Sequence, residues 1–118
     1  MIQSMNNRFD TEDRTVLAVV SQYADKYFFN DDLGPLPEEI KKEVLVLLVM
    51  LTEEAGGISV MGFERDGEVY IASTCEEDDL GYDEISAGLL IREIERDHAD
   101  LLEQLATWFR RVVRRKLK

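Results

Sequence analysis

The sequence predicts an α+β fold in the order α-α-β-β-α, two shorter helices, a β-hairpin and one long C-terminal helix. Three observations carry that expectation. Apolar residues recur at helical spacing in residues 14–29 and again from Pro37 to about Ala55. Two short β-prone runs flank the pair Asp66-Gly67, a strong hairpin signal. A heptad pattern then runs through residues 82–115.

Each element has its own warrant. In residues 14–29, Val16, Val19, Val20, Tyr23 and Tyr27 fall on one helical face, and Thr11 or Asp13 is placed to cap it. The same valines suit a short strand, and helix is the reading adopted. Residues 30–37 hold two aspartates, a glycine and two prolines, which makes a turn. In the second helix Ile40, Val44, Leu47, Leu48 and Leu51 form a stripe. Leu45, Val46, Val49 and Met50 widen it until residues 44–51 are apolar on every side. Such a helix is buried on more than one face, and Gly56-Gly57 ends it. In the hairpin, Ile58, Val60 and Gly62 share one face of the first strand, and Val69 and Ile71 point inward from the second. Two strands alone are marginal, so the hairpin needs a helix, a third strand or another subunit behind it.

The last helix is the most informative for assembly. Ala87, Ile91, Ile94, His98, Leu101, Leu105, Trp108 and Val112 are spaced 4, 3, 4, 3, 4, 3 and 4, a coiled-coil-like seam. About 34 residues of helix would reach about 50 Å, more than a compact domain of this size needs. Ile91, Ile94, Leu101, Leu105 and Trp108 are therefore the candidate interface of a homodimer, antiparallel or face to face, with bundling inside one chain as the alternative. The helix is acidic at its start (Asp83, Glu84) and basic at its end, which favours antiparallel pairing. Gly88 within it suits a close helix approach or, as the alternative, a gap for a ligand. Residues 1–13 read as a flexible N-terminal arm, and residues 14–118 as a single α+β domain.

Composition narrows the function classes. The 118 residues carry 14 basic and 25 acidic groups, a formal net charge of −11. Six of the basic groups (Arg110, Arg111, Arg114, Arg115, Lys116 and Lys118) lie beyond residue 109, leaving 8 basic against 25 acidic groups, −17, over the first 109. That balance repels nucleic acid and anionic membranes. No apolar run is long enough for a membrane span, and residues 1–13 lack the apolar stretch of a signal peptide. Cys75 is the single cysteine, which excludes an internal disulfide. From these features a cytoplasmic protein is expected.

Chemical motifs are sparse. Glu95-x-x-His98 has the spacing that puts two metal ligands on one helical face. A symmetric dimer would supply two such pairs, with Glu43, Glu53 or Glu54 completing the set. Neighbouring Arg92 and Arg96 raise the cost of gathering cations there, and the competing readings are a structural histidine and a pH-sensitive interface histidine. Glu76, Glu77, Asp78 and Asp79 lack the ligand alternation of a calcium loop, and negative charge there suits the following helix N-terminus. No phosphate-cradling glycine loop, paired-cysteine site or serine–histidine arrangement is present, and the residues call for no cofactor. Tyr27, Phe28 and Phe29 form the densest aromatic run, a candidate partner-binding patch whose alternative is core packing.

Four segments together resemble a family of small uncharacterised proteins from Firmicutes. They are Tyr27-Phe28-Phe29-Asn30, Leu36-Pro37-Glu38-Glu39-Ile40-Lys41, Leu51-Thr52-Glu53-Glu54-Ala55-Gly56-Gly57-Ile58 and Gly81-Tyr82-Asp83-Glu84-Ile85. The resemblance spans residues 15–113 and implies no activity, substrate or catalytic residue. The expectation is a non-catalytic interaction or regulatory module acting as a homodimer. The alternatives are a dimeric metal-binding protein using Glu95 and His98, and a small-molecule binding domain with a pocket between hairpin and helices.

Overall fold

The structure, a computed structural model, describes residues 14–113. Its elements run β1 (Arg14–Ser21), β2 (Lys26–Phe29), a 3-10 turn (Asp31–Leu33), α1 (Glu38–Ala55), β3 (Ile58–Glu64), β4 (Val69–Thr74), α2 (Glu84–Asp97), α3 (Ala99–Trp108) and a closing π-type turn (Phe109–Val113). The order is β-β-α-β-β-α-α, which corrects the expected α-α-β-β-α while keeping the α+β class. The N-terminal arm, 1–13, lies outside the described residues.

Residues 14–29 form a β-hairpin and no helix. β1 and β2 pair antiparallel from Ala18–Phe29 to Ser21–Lys26. Asp25 closes the turn at φ +50°, a conformation that aspartate tolerates better than most residues. β1 also pairs antiparallel with β3, so the sheet order is β2-β1-β3-β4. The apparent helical spacing arose because β1 is buried on both faces. Val16, Leu17, Ala18 and Val19 are fully buried, and a doubly buried strand reads as a continuous apolar run. Leu17 is an extra residue opposite β3, since Val16 pairs Gly62 and Ala18 pairs Met61. Asn30 satisfies the backbone at this bulge: its side-chain N–H donates to Val16 O at 3.1 Å and its main-chain N–H to Leu17 O at 2.8 Å.

The helices pack on one face of the sheet. Val20, Met61 and Phe63 share a core with Val44, Leu47 and Leu48 of α1, Ile94 of α2, and Leu101 and Leu105 of α3. Phe63 stacks on Phe109 with centroids 4.3 Å apart, and each such buried side chain contributes about 1.5–3 kcal/mol. The other sheet face carries a separate cluster of Val16, Val19, Ile58, Val60 and Tyr70, which among the described residues includes no helical one. Ile58 and Val60 thus share a face, and Val69 and Ile71 pack against the helix-side core. Within that core the buried hydroxyls of Thr52 and Ser59 lie 2.9 Å apart, and Thr52 also donates to Leu48 O.

The long C-terminal helix is two helices. The chain breaks at His98, with φ −119° and ψ 29°, which ends α2 and starts α3. The heptad spacing survives the break, because Ile94, Leu101 and Leu105 all fill this chain's own core. The bend lets α2 follow α1 and α3 follow β4, where one straight helix would leave part of its stripe in water. Trp108 then fastens the end of α3 by donating its indole N–H to Pro35 O at 2.9 Å.

Asp83 caps α2. Its carboxylate accepts from the Ser86 N–H at 3.0 Å and the Ser86 hydroxyl at 2.7 Å, as N-cap aspartates do. These bonds hold the carboxyl below its ordinary value. A depressed folded-state value stabilises above the unfolded-state carboxylate range, and that contribution is lost as pH falls through the folded-state value. Asp83→Ala should therefore lower the thermal midpoint at neutral pH. Melts of both proteins should show the difference narrowing below about pH 4.

Candidate functional site

The C-terminal turn of α1 converges with the β1–β2 turn and the loop after β4. Gly56 and Gly57 make this possible. Gly56, at φ +84°, donates its N–H to Thr52 O and closes α1. Gly57, at φ +72°, turns the chain into β3 against Thr74 O and the Tyr82 ring, leaving no room for a Cβ. Gln22 locks both strands to this corner: its main-chain N–H donates to Gly57 O at 3.0 Å, and its side-chain oxygen accepts the Gly57 N–H at 2.9 Å. The loop after β4 is tied in twice. Asp83 N–H donates to Ala55 O at 2.9 Å, and the Tyr82 and Ser73 hydroxyls lie 2.8 Å apart.

Tyr23 spans the corner. Its phenol donates to Asp79 at 2.5 Å and accepts the Glu76 N–H at 3.0 Å. Loss of solvent around it and the adjacent Asp79 carboxylate raise the phenol above its ordinary value. The acidic run 76–79 therefore does more than precede a helix, because Asp79 and the Glu76 amide position this loop against the hairpin.

Between these elements lies an open cleft of about 540 Å³, within the size range of ligand sites. Val20, Tyr27 and Val49 supply apolar surface, and Asp25, Glu53, Glu54 and Asp79 supply carboxylates against Lys26, the one cation lining it among the described residues. The C-terminal end of α1 adds partial negative charge. Ser21 and Thr52 also line the cleft, but Ser21 accepts from Ala24 N–H and Thr52 is held by Leu48 and Ser59. Among the described residues no histidine or cysteine lines it. The arrangement is suited to holding a cation beside an apolar group.

The residues singled out in the sequence are dispersed. His98 sits between helices with Nδ1 3.7 Å from a Glu43 carboxylate oxygen, and Glu95 is exposed on α2. Glu53 and Glu54 lie at the other end of α1, on the cleft. Among the described residues no three histidine, cysteine or acidic side chains are grouped to hold a metal ion. Of the seam residues, Ile94, Leu101 and Leu105 are buried in the chain's own core, Trp108 packs against that core, and Ile91 packs with Leu51, Ala55 and Ala87. Tyr27, Phe28 and Phe29 part company along β2. Tyr27 is exposed on the cleft, Phe28 joins the far-face cluster and Phe29 packs on the main core.

Two readings of the chain ends can be placed only in part. Arg110 donates to Asp66 O at 3.0 Å and crosses Gly67 of the β3–β4 turn; Arg114, Arg115, Lys116 and Lys118 lie outside the described residues. No helix among the described residues is long and apolar enough to cross a membrane.

Comparison with curated proteins and with solved structures gives no match. The model of a protein family, described as Family of unknown function (DUF6145), matches residues 14–117. That span takes in both hairpins, all three helices and every side chain of the cleft, and the chain belongs to this family.

Proposed function

We propose that this chain is a non-catalytic protein-interaction module whose cleft receives a basic side chain of a partner polypeptide. The observation that carries this reading is the charge of the cleft: four carboxylates and a helix C-terminus against one lysine, beside the exposed ring of Tyr27. A lysine or arginine side chain fits that chemistry at both ends. Its charged head meets the carboxylates, and its aliphatic stem covers Val49 and the Tyr27 ring. The strongly acidic balance of residues 1–109 attracts such a partner over a longer range.

The test is fluorescence anisotropy with labelled hexa-arginine, and hexa-glutamate as the control. An acidic protein attracts any cation weakly, so the decisive comparison is between two variants of equal charge. Asp25→Asn with Glu53→Gln removes two carboxylates from the cleft. Asp100→Asn with Glu103→Gln removes two from α3, away from it. The first should weaken binding at least about fivefold and the second by less than about twofold, since exposed charges far from a ligand are screened. Equal losses from both variants would mean diffuse attraction without a site.

A further inference from the structure

We infer that α2 presents a second, separate surface, on which a second copy of this chain docks antiparallel with the two α2 helices crossing at Gly88. α1 and α2 run antiparallel over the sheet. Asp83 N–H meets Ala55 O at one end, and His98 faces Glu43 at the other. Leu51, Ala55, Ala87 and Ile91 fill the contact between them. The opposite side of α2 carries Ile85, 77% exposed, and Leu89, 58% exposed, with Gly88 between them. Residues 85, 88, 89 and 92 are neighbours on one helical face.

Gly88 is the informative residue. A glycine inside a helix weakens it relative to alanine, and nothing among the described residues requires one here. A Cβ at Gly88 would meet no atom within 4 Å. A close approach to α1 is therefore not the reason for it. Of the two uses of a missing side chain here, a gap for a ligand and a close helix approach, the exposed apolar flanks Ile85 and Leu89 favour a facing helix.

Charge selects a second copy as the occupant. Glu84 lies four residues before Gly88, and Arg92 four residues after it. Neither has an ion-pair partner among the described residues. A twofold crossing at Gly88 sets Glu84 opposite the partner's Arg92 and Arg92 opposite the partner's Glu84. The same operation brings Ile85 and Leu89 together with their counterparts in the partner as one apolar patch beside the crossing point, Leu89 nearest its centre. A surface that pairs its own acid with its own base and its own apolar groups with one another is the pattern of an isologous interface. Parallel docking would bring like charges together. The interface uses none of the seam residues that the core has consumed.

The test is sedimentation velocity on the full 118-residue chain from low to high micromolar concentration. The wild type should dimerise within that range. Leu89→Glu should weaken dimerisation at least about tenfold, as loss of a central apolar contact does, with an unchanged circular dichroism spectrum because the position is exposed. Glu84→Arg and Arg92→Glu should each weaken it, and the two together should restore it. A wild-type monomer throughout, a dimer indifferent to Leu89→Glu, or a charge swap without rescue would each overturn the proposal. None of these outcomes bears on the cleft, whose test uses Asp25 and Glu53.

Discussion

Replacing Leu101 by glutamate abolishes cooperative folding. On a projecting seam the same change would separate subunits and leave each one folded. Leu101 is 5% exposed and packs in the main core with Leu47, Leu48, Ile94 and Leu105. An ionised carboxylate there has no cation to meet among those neighbours, and burial of an unpaired charge costs several kcal/mol. The lost leucine contacts add about 2–5 kcal/mol. A domain of this size has about 5–15 kcal/mol of stability in all. Urea titration followed by circular dichroism should show no folded baseline for Leu101→Glu, and a cooperative transition for Leu101→Met, which conserves volume. A folded, cooperative Leu101→Glu protein would place that side chain in water and contradict the core described above.

Gly57→Ala carries the second large effect. The position has φ +72°, and a Cβ there would strike Thr74 O and come within 3.0 Å of the Tyr82 ring. Left-handed backbone costs a non-glycine residue about 1–2 kcal/mol, and the carbonyl contact cannot relax without moving β4. A loss of about 3 kcal/mol or more is expected from the shift in urea midpoint at constant slope. Gly56→Ala is the internal comparison. Its Cβ would meet the Gln22 side-chain oxygen at 2.9 Å, and a side chain can swing aside. The smaller loss should fall at Gly56. Because Gln22 holds Gly57 by two hydrogen bonds, displacement at Gly57 also opens the corner on which the cleft is built.

Local signals in the sequence were sufficient where structure is local. α1 follows from a broad apolar stripe, Pro37 before it and two glycines after it. The β3–β4 hairpin follows from Asp66-Gly67, with Gly67 at φ +94°. Residues 14–29 look helical in the sequence because Val16, Val19 and Val20 fall at i, i+3 and i+4; the bulge at Leu17 puts Val16 and Val19 on one face of β1, and burial on both faces removes the alternation that marks an ordinary strand. The break at His98 has no proline or glycine to announce it; it is set by where Leu101 and Leu105 find core. Long regular spacing in α2 and α3 recorded a buried stripe, and the same stripe serves an intramolecular core as well as a dimer. The cleft was illegible for a different reason. Gln22, Asp25, Glu53 and Asp79 are far apart in sequence, and only the sheet order β2-β1-β3-β4 and the turn at Gly57 bring them together. Glu53 and Glu54, candidates to complete a metal site with His98, are carried by α1 to its other end.

The most direct test of the cleft as the working site is a titration of the ¹⁵N-labelled full chain with hexa-arginine, followed by backbone amide shifts. Saturable shifts confined to Gln22, Asp25, Lys26, Tyr27, Glu53 to Gly57 and the Asp79–Gly81 segment are the predicted result. Small shifts scattered over the acidic surface, or a cluster centred on any other element, would contradict it.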